Sequence, residues 1–360
     1  MKRIILLSVF LLAGAMWSSD ADACTGISLN AADGSRVVAR TVEWASSSMQ
    51  CGDVVVPRGH VQQSYTPDGA NGLKFKSVYG YVGIYTEYEP FVVEGVNEAG
   101  LSAGLFFFPQ YGQYAPYVPD RASATICDMQ FVSWVLSEFS SIDQVKDGLA
   151  KVDLVTLNNK IGAVHWRITE PGGRMVVLEI VNGVPHFYEN TLGVLTNSPG
   201  FEWHMTNLNN YVNLRPGSAP DYEMNKAITL SALGHGSGML GLPGDFTAPS
   251  RFVRAAFFQT TAPQQATGFD SVVQAFHILN NFDLPIGVQC SKDEVPKGLP
   301  SATQFTAATD LKSMRLYYRT AWNSNIRCID LMDIDFHKVK FQNHPLDQVN
   351  VQPVEMVKIK

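Results

Sequence analysis

The sequence predicts an α+β fold of antiparallel sheets with helices packed outside them. Short segments rich in β-branched and aromatic residues, separated by turn residues, fill the chain from Cys24 to about Phe108. Farther on, runs of strands alternate with runs of helices without a strict βαβ rhythm, which disfavours a parallel sheet. No linker divides the chain. We therefore expect residues 24–360 to form a single domain.

The first elements are expected to be strands, because glycine, proline, asparagine or aspartate punctuates each segment. They are predicted at residues 25–30, 36–44, 54–57, 77–84, 91–96 and 101–108. The pair Asp33-Gly34 is a strong hairpin signal between the first two strands. This hairpin would return the end of the second strand to the start of the first.

Helices and further strands are expected to follow. Two helices are predicted at residues 123–139 and 141–150, each opened by a serine that can cap N–H groups. Strands are predicted at residues 161–169, 174–180, 184–188 and 193–196. Helical spacing then covers residues 201–211, 251–258 and 268–280, with a glycine- and proline-rich stretch at 234–250. Strands at 303–309, 313–320 and 325–330 close the pattern.

Composition and charge narrow the functional class. The chain has 360 residues, of which 46% are hydrophobic and 17% are charged, as in an ordinary globular protein with a sizeable core. Its formal net charge is −6, so no basic excess is present to neutralise phosphates, and nucleic acid is not expected as a partner. The cysteines and histidines show neither CxxC nor HExxH spacing, and no metal or organic cofactor is implied.

The first 23 residues have the features of a cleavable export signal. Lys2 and Arg3 give a positive start, residues 4–17 are apolar, and Ala21-Asp22-Ala23 fits the small-x-small rule of signal peptidase. The apolar stretch is short for a membrane span, and an N-terminal anchor is the alternative. We expect cleavage between Ala23 and Cys24, a periplasmic or secreted mature chain, and no stable membrane association.

Cleavage would make Cys24 the first residue of the mature chain. A terminal cysteine carries a thiol nucleophile together with an α-amine, whose pKa of roughly 7.7–8.0 makes it a weak base near neutral pH. The alternative is a lipoprotein, a binding module anchored through an acylated Cys24, although the acidic Asp22 fits that pattern poorly. If Cys24 is the functional cysteine, the sequence leaves two alternatives for the other four. They form two disulfides or stay as four thiols, and they are Cys51, Cys127, Cys290 and Cys328.

Arg40, Glu43 and Trp44 lie at the end of the second predicted strand. If the first two strands pair as a hairpin, this end lies beside Cys24. A guanidinium there would favour the thiolate, and a carboxylate would hold the amine by a hydrogen bond. A surface ion pair between Arg40 and Glu43 is the alternative.

An ordered set of motifs extends from Cys24 to about Phe258. The motifs are CTGISLN, ARTVEW, NEAGLSAGLFFFP, LTNSPGFEWHMTNLNNY and GLPGDFTAPSRFVRAAF. In order and spacing they resemble the choloylglycine hydrolase family, which includes bile salt hydrolases and penicillin V acylases, and the closing strands up to Asp330 are similar as well. The resemblance implies linear amide hydrolysis, the four-layer αββα sandwich of N-terminal-nucleophile hydrolases, and often a tetramer.

The resemblance also implies roles for individual residues. Cys24 matches the family's nucleophile and Arg40 the arginine near the sulfur. Arg251, in PSRFVR, matches the distal arginine of the polar network in the active site. Asn197, in LTNSP, matches the asparagine whose side-chain amide donates to the oxyanion. Its position in a turn would explain an asparagine even without that role.

Two residues depart from the family pattern. Glu43 stands where aspartate is usual, and its extra methylene changes the reach to the amine. Phe107 stands where many members have asparagine, so its backbone N–H can serve an oxyanion hole but its side chain cannot. Strand alternation sends Phe107 to the opposite face from Phe106 and Phe108, so core packing explains part of this run. We expect Trp44 and Phe107 to line the substrate site.

The sequence thus predicts a hydrolase of linear, non-peptide C–N amide bonds that acts through a thioester on Cys24. Its partner would be a small amide with a bulky apolar acyl group, such as a conjugated bile salt, penicillin V or a long N-acyl homoserine lactone. The apolar lining favours phenoxyacetyl and fatty acyl groups. A Cys–His protease with His204 or His235 as its base is the alternative. The family resemblance implies a homo-oligomer.

Overall fold

Two antiparallel sheets form the centre of the molecule. The computed structural model describes residues 23–157, 162–289, 293 and 295–359. In chain order its strands are β1 (Thr25–Asn30), β2 (Arg36–Glu43), β3 (Cys51–Val56), β4 (Val61–Gln63), β5 (Lys74–Lys76), β6 (Tyr81–Thr86), β7 (Val92–Asn97), β8 (Ser102–Phe107), β9 (Thr125–Cys127), β10 (Asp153–Val155), β11 (Val164–Thr169), β12 (Met175–Val181), β13 (Val184–Glu189), β14 (Tyr222–Asn225), β15 (Ile228–Leu230), β16 (Thr303–Asp310), β17 (Arg315–Thr320), β18 (Arg327–Asp330) and β19 (Gln342–Pro345). One sheet has the order β1-β2-β16-β17-β18, and the other has the order β13-β12-β11-β8-β7-β6-β3-β19.

Short two-stranded pairs and helices surround these sheets. The pairs are β4–β5, β9–β10 and β14–β15, of which β9–β10 is parallel. The α-helices are α1 (Phe131–Glu138), α2 (Ile142–Leu149), α3 (Phe201–Asn207), α4 (Ala248–Thr261) and α5 (Gly268–Leu279). Among the described residues, no helix combines the length and the apolar character that crossing a bilayer requires.

The elements stack in four layers. The two sheets share one buried core, which contains Val38 and Phe305 from the five-stranded sheet and Val96 and Trp166 from the eight-stranded sheet. Helix α1 packs on β7 and β8, whereas α4 packs on β1 and α5 packs on β1, β2 and β16. The order of layers is therefore helix, sheet, sheet, helix. This confirms the expected αββα sandwich.

The first hairpin forms as predicted, with Asp33-Gly34 in the turn and Asn30 opposite Arg36. The first half of the predicted helix 123–139 is wrong. Residues 125–127 form β9, which pairs with β10, and α1 begins only at Phe131. The predicted strand 193–196 is also wrong, since its contribution is a single bridge between Leu195 and Gly26. In both places a contact distant in sequence overrides the local pattern.

The cysteines other than Cys24 form no disulfide within the described residues. Cys51, Cys127 and Cys328 each keep a thiol. The pattern with two disulfides is therefore wrong, while Cys290 lies outside the described residues. Burial raises the pKa of Cys51 to about 12, so this thiol is protonated and inert at neutral pH.

Candidate active site

Cys24 immediately precedes β1 and is buried. Cys24 is 6% exposed and Ala23 is 2% exposed. Ala23 packs in a small apolar cluster with Ala45, Leu284 and Ala302. The Cys24 nitrogen is here a peptide nitrogen, and in a chain processed after Ala23 the same atom would be the α-amine. Its contacts therefore indicate where that amine would lie.

The β1–β2 hairpin brings the end of β2 next to Cys24. Thr25 lies opposite Thr41, and Gly26 lies opposite Arg40. The Thr41 hydroxyl accepts the Thr25 N–H at 3.3 Å. The prediction that the far end of the second strand returns to Cys24 is confirmed.

Asn197 reaches Cys24 because a backbone bridge joins its segment to β1. Gly26 donates its N–H to the Leu195 carbonyl oxygen at 2.7 Å, and Leu195 donates its N–H to the Gly26 carbonyl oxygen at 3.1 Å. Two residues later, Asn197 Oδ1 accepts the Cys24 N–H at 2.9 Å. Asn197 is 4% exposed, so this amide lies in the protein interior.

The orientation of the Asn197 amide is fixed by its partners. Oδ1 accepts from Cys24 and also from Arg251 Nη2, at 2.7 Å. Nδ2 donates to the carbonyl oxygen of Phe107 at 2.7 Å. Because both partners of Oδ1 are donors and the partner of Nδ2 is an acceptor, the opposite orientation would break all three hydrogen bonds.

The backbone of Phe107 faces the side-chain amide of Asn197. The next residue, Phe108, donates its N–H to the Ala163 carbonyl oxygen at 2.7 Å, and Phe107 lies opposite Val164. In an antiparallel pair the bonded and non-bonded residues alternate, so both the N–H and the C=O of Phe107 point away from β11. That edge faces Asn197.

Arg251 lies in the first turn of α4 and hydrogen-bonds to the backbone of Cys24. Its Nη1 donates to the Cys24 carbonyl oxygen at 2.6 Å and to Thr25 Oγ1 at 2.8 Å, while Nε donates to the Phe246 carbonyl oxygen at 2.9 Å. Burial lowers the pKa of Arg251 to about 10, and the charges of Glu43 and Cys24 act in the opposite direction. The guanidinium is therefore cationic at neutral pH.

Glu43, at the end of β2, is a buried carboxyl close to the arginines. It is 2% exposed, and Oε1 accepts a 3.4 Å hydrogen bond from the Thr303 hydroxyl. Oε2 has no hydrogen-bond partner among the described residues. Burial raises the pKa of Glu43 to about 8, although the charges of Arg251 and Arg40 oppose the shift.

Comparison with known proteins assigns the chain to a family. The model of the linear amide C–N hydrolases of the choloylglycine hydrolase family matches residues 24–348.

The chain belongs to the choloylglycine hydrolase family. It is therefore an enzyme that hydrolyses linear amide C–N bonds, as predicted.

Individual relatives agree with this assignment. A bile salt hydrolase/transferase of Clostridium perfringens is 32% identical over 325 residues, which cover 88% of this chain and 95% of the relative. A penicillin V acylase of Pectobacterium atrosepticum is 23% identical over 328 residues, covering 83% and 78%. A solved conjugated bile acid hydrolase from Clostridium perfringens superposes with a TM-score of 0.80 at 28% identity, covering 93% of this chain and 100% of that one.

In this choloylglycine hydrolase family member, Arg40 extends from β2 across the sandwich. Its Nη1 donates to the Val93 carbonyl oxygen at 3.0 Å and lies 3.8 Å from Glu94 Oε2. Its guanidinium carbon lies 3.9 Å from the centroid of the Phe106 ring. Arg167 on β11 forms an ion pair with the same Glu94. Arg40 is thus engaged with the facing sheet, and its influence on the Cys24 sulfur stays a prediction.

The two histidines proposed as bases for a Cys–His protease have other surroundings. His204 Nε2 lies 2.8 Å from the Asn197 carbonyl oxygen, which can only accept, so Nε2 carries the hydrogen. The ring stacks on Phe252 at 4.6 Å, and burial lowers the pKa of His204 to about 4. His235 is exposed in the glycine-rich loop. The protease alternative is not supported by either residue.

The predicted pocket residues are only partly buried. Trp44 is half-buried, and its indole Nε1 donates to the Ser47 hydroxyl at 2.9 Å. Phe107 is also half-buried, whereas Phe106 and Phe108 are fully buried. Phe106 packs in the buried cluster that contains Cys24, whereas Phe107 packs against the other large cluster, as expected for neighbouring strand residues on opposite faces.

Sequence reasoning missed four charged or ionisable residues near the site. His165, Arg167 and Glu179 lie on the adjacent strands β11 and β12, and Glu94 lies on β7. All four side chains are at most 2% exposed. The sequence does show each of them as a polar residue within an otherwise apolar strand. Such residues are rarely buried without a specific partner, so this pattern could have identified them.

The raised pKa of Glu43 leads to a prediction about stability. Below pH 4.5 the carboxyl is neutral in both folded and unfolded chains, and between 4.5 and about 8 the unfolded chain ionises while the folded one resists. The melting temperature of the unprocessed chain should therefore fall, relative to Glu43→Gln, as pH rises from 5 to 9. Thermal scans at three pH values measure this, with exposed Glu202→Gln as the control. A constant difference across that range would contradict the prediction.

Proposed function

We propose that removal of residues 1–23 makes Cys24 an N-terminal nucleophile that hydrolyses linear amides through a thioester. The observation that carries this proposal is the double anchoring of Cys24. Its nitrogen donates to Asn197 Oδ1 at 2.9 Å, and its carbonyl oxygen accepts from Arg251 Nη1 at 2.6 Å. A nucleophile whose backbone is held on both sides can be presented to a substrate in one geometry.

The proposed reaction uses both groups of the terminal cysteine. The α-amine accepts the proton of the thiol, and the thiolate attacks the amide carbonyl carbon. The resulting ammonium protonates the leaving nitrogen, the C–N bond breaks and the thioester forms. Water then attacks the thioester and gives its proton to the α-amine. The acid leaves and the thiol is regenerated.

Two donors are proposed for the oxyanion that forms at each attack. The Asn197 amide nitrogen has two hydrogens, one of which bonds to the Phe107 carbonyl oxygen. The other hydrogen and the Phe107 N–H, which lies on the same strand edge, are the proposed donors. Arg251 would support them indirectly, because its bond to Oδ1 polarises the amide.

Glu43 is proposed to hold the α-amine. Its Oε2, which has no hydrogen-bond partner among the described residues, can accept from an ammonium. A neighbouring ammonium would favour the ionised carboxyl and oppose the effect of burial on its pKa. Arg40, which lies opposite Gly26 in the hairpin, is proposed to favour the thiolate.

The proposed substrates are amides with a bulky apolar acyl group. The half-buried rings of Trp44 and Phe107 offer apolar surface near the site. The relatives at 32% and 23% identity are named as a bile salt hydrolase/transferase and a penicillin V acylase, and conjugated bile salts and penicillin V both carry such an acyl group. Conjugated bile salts, penicillin V and long N-acyl homoserine lactones are the candidates, and none is selected by the half-buried rings alone.

A substrate panel tests this proposal. We expect kcat/KM for these three substrates to exceed that for a short acetyl amide. Phe107→Ala should lower kcat/KM for the preferred bulky substrate by about 10-fold or more, the order expected from losing a large apolar contact, and should change the acetyl amide little. Phe269→Ala removes a ring that is 50% exposed on α5 and is the control. Equal loss on all substrates would assign Phe107 to packing.

We further propose that the mature enzyme is periplasmic or secreted and is a homo-oligomer. The export-type residues 1–23 support the first point. For the second, the β14–β15 hairpin exposes apolar side chains that contact with a second copy would cover. They are Tyr222, Met224, Ile228 and Leu230, each at least 49% exposed.

Native mass spectrometry of the exported protein checks processing and assembly together. The denatured subunit should have the mass of a chain that begins at Cys24, without lipid. The native ion should be a multiple of that mass, and Met224→Lys with Leu230→Lys should shift it toward the monomer. An acylated Cys24 would support the lipoprotein alternative, and a fully active uncleaved chain would refute the mechanism.

A further inference from the structure

A buried histidine–glutamate pair lies beside the segment that carries Asn197. His165 on β11 is 0% exposed and Glu179 on β12 is 2% exposed. The two strands pair in a register that places these residues opposite each other. His165 Nδ1 lies 3.2 Å from Glu179 Oε1. A hydrogen bond between these two atoms requires that either the ring nitrogen or the carboxyl oxygen carries the hydrogen.

Both members of the pair bind the turn around Asn197. His165 Nε2 lies 3.1 Å from the Thr196 carbonyl oxygen, and because a carbonyl only accepts, Nε2 is the donor. Glu179 Oε1 accepts the Phe201 N–H at 2.8 Å. The pair thus holds the residue just before Asn197 and the residue at which α3 begins.

The packing of the imidazole leaves it little freedom. Its ring stacks on Phe108 with centroids 4.4 Å apart and an interplanar angle of 6°. Phe106 meets it edge-on at 6.2 Å. A polar pair buried among aromatic rings is costly unless fully hydrogen-bonded, and apolar residues at such positions often give equal stability. Stability alone is therefore a weak explanation for the pair.

We propose that His165 and Glu179 are positioning residues for amide hydrolysis, which fix the turn from Thr196 to Phe201 so that the Asn197 amide meets the oxyanion. The inference rests on the proposed role of Asn197 as an oxyanion donor. The pair touches neither Cys24 nor the proposed oxyanion position through any of these bonds, so it acts through Asn197. A displacement of the donor by a fraction of an ångström lowers the rate while substrate binding is retained.

The test is a double-mutant cycle on the processed enzyme. His165→Leu should lower kcat by about 10- to 100-fold with KM nearly unchanged, which is less than the loss from removing the donor itself. His165→Gln should recover part of this loss, because its side-chain amide can still donate to Thr196. In an Asn197→Ala background, His165→Leu should cost little more, since two residues that act as a unit are non-additive. Exposed His277→Leu on α5 is the control.

A second readout separates positioning from general damage. Alkylation of Cys24 by iodoacetamide needs a thiolate but no oxyanion donor, so His165→Leu should leave its rate unchanged. Inhibition by an aldehyde that forms a thiohemiacetal with Cys24 should weaken, because that adduct places an oxygen at the oxyanion position. If His165→Leu does not fold, His165→Gln and Glu179→Gln are measured in the same cycle.

The outcomes separate the role of the His165–Glu179 pair from that of Asn197. Equal losses from His165→Leu in both backgrounds, or a fall in alkylation parallel to the fall in kcat, would overturn the positioning role and leave Asn197 as a donor. Wild-type turnover in Asn197→Ala alone would refute the proposed role of Asn197. The inference is supported if His165→Leu lowers kcat when Asn197 is present and has little effect in the Asn197→Ala background.

Discussion

Replacing Cys24 by alanine is expected to abolish amide hydrolysis, with a loss in kcat of about 10⁴-fold or more, because in the proposed mechanism the Cys24 thiol is the nucleophile. The change removes one buried sulfur atom at the start of β1, so the melting temperature should fall by only a few degrees, about the effect of 1 kcal/mol in a large domain. Initial rates on the preferred substrate and a thermal scan measure both quantities.

The matched control for this variant is Cys328→Ala. Cys328 is an exposed thiol on β18, in the sheet that also contains β1. Full activity is expected after its removal. Cys24→Ser, which keeps a hydroxyl in the same place, should regain little activity, because a hydroxyl is a far weaker nucleophile than a thiolate. Appreciable turnover by Cys24→Ala, in protein shown by mass to be processed, would rule out the thioester mechanism.

Asn197→Ala is expected to lower kcat by about 10²- to 10³-fold, the usual cost of one oxyanion donor. Asn197→Asp makes a sharper comparison. It keeps an oxygen that can accept from Cys24 and from Arg251, but it cannot donate to the oxyanion or to Phe107. If donation is the role of Asn197, the aspartate variant should be as inactive as the alanine variant.

Asn209→Ala provides the control for Asn197, because its side chain is exposed and its amide donates to the Thr206 carbonyl oxygen one turn away. Both rates should be measured with KM, since loss of a transition-state donor affects kcat and leaves substrate binding nearly unchanged. Recovery of activity in Asn197→Asp would show that the acceptor Oδ1, and not the donor Nδ2, is what the reaction needs.

The part of the site that the sequence predicted depends on short-range pairing. Asp33-Gly34 defines a tight hairpin, and a hairpin fixes the register that places Arg40 opposite Gly26. Glu43 and Trp44 follow from the same register. The family motifs added Asn197 and Arg251, whose contacts with Cys24 span 173 and 227 residues of the sequence. No local pattern could have joined them.

The residues that sequence reasoning missed depend on contacts between distant strands. His165 and Glu179 are 14 residues apart, and the bond from His165 to Thr196 spans 31. In the sequence each is a polar residue in an apolar strand, and nothing local identifies its partner. The β14–β15 hairpin was missed for the opposite reason, since its strands are fully exposed and no buried face imposes an alternating pattern.

The burial of Ala23 and Cys24 limits when the proposed cleavage between them can occur. A protease needs an extended, accessible segment on both sides of the bond that it cuts, and buried backbone resists cleavage. Here the bond between these residues lies inside the protein, with Ala23 packed against Leu284 and Ala302 and the Cys24 nitrogen bonded to Asn197. If residues 1–23 are removed at this bond, the cut has to come before the segments around Leu284 and Asn197 close over it. Maturation would then precede folding, and a chain that folded first would be trapped as an inactive precursor.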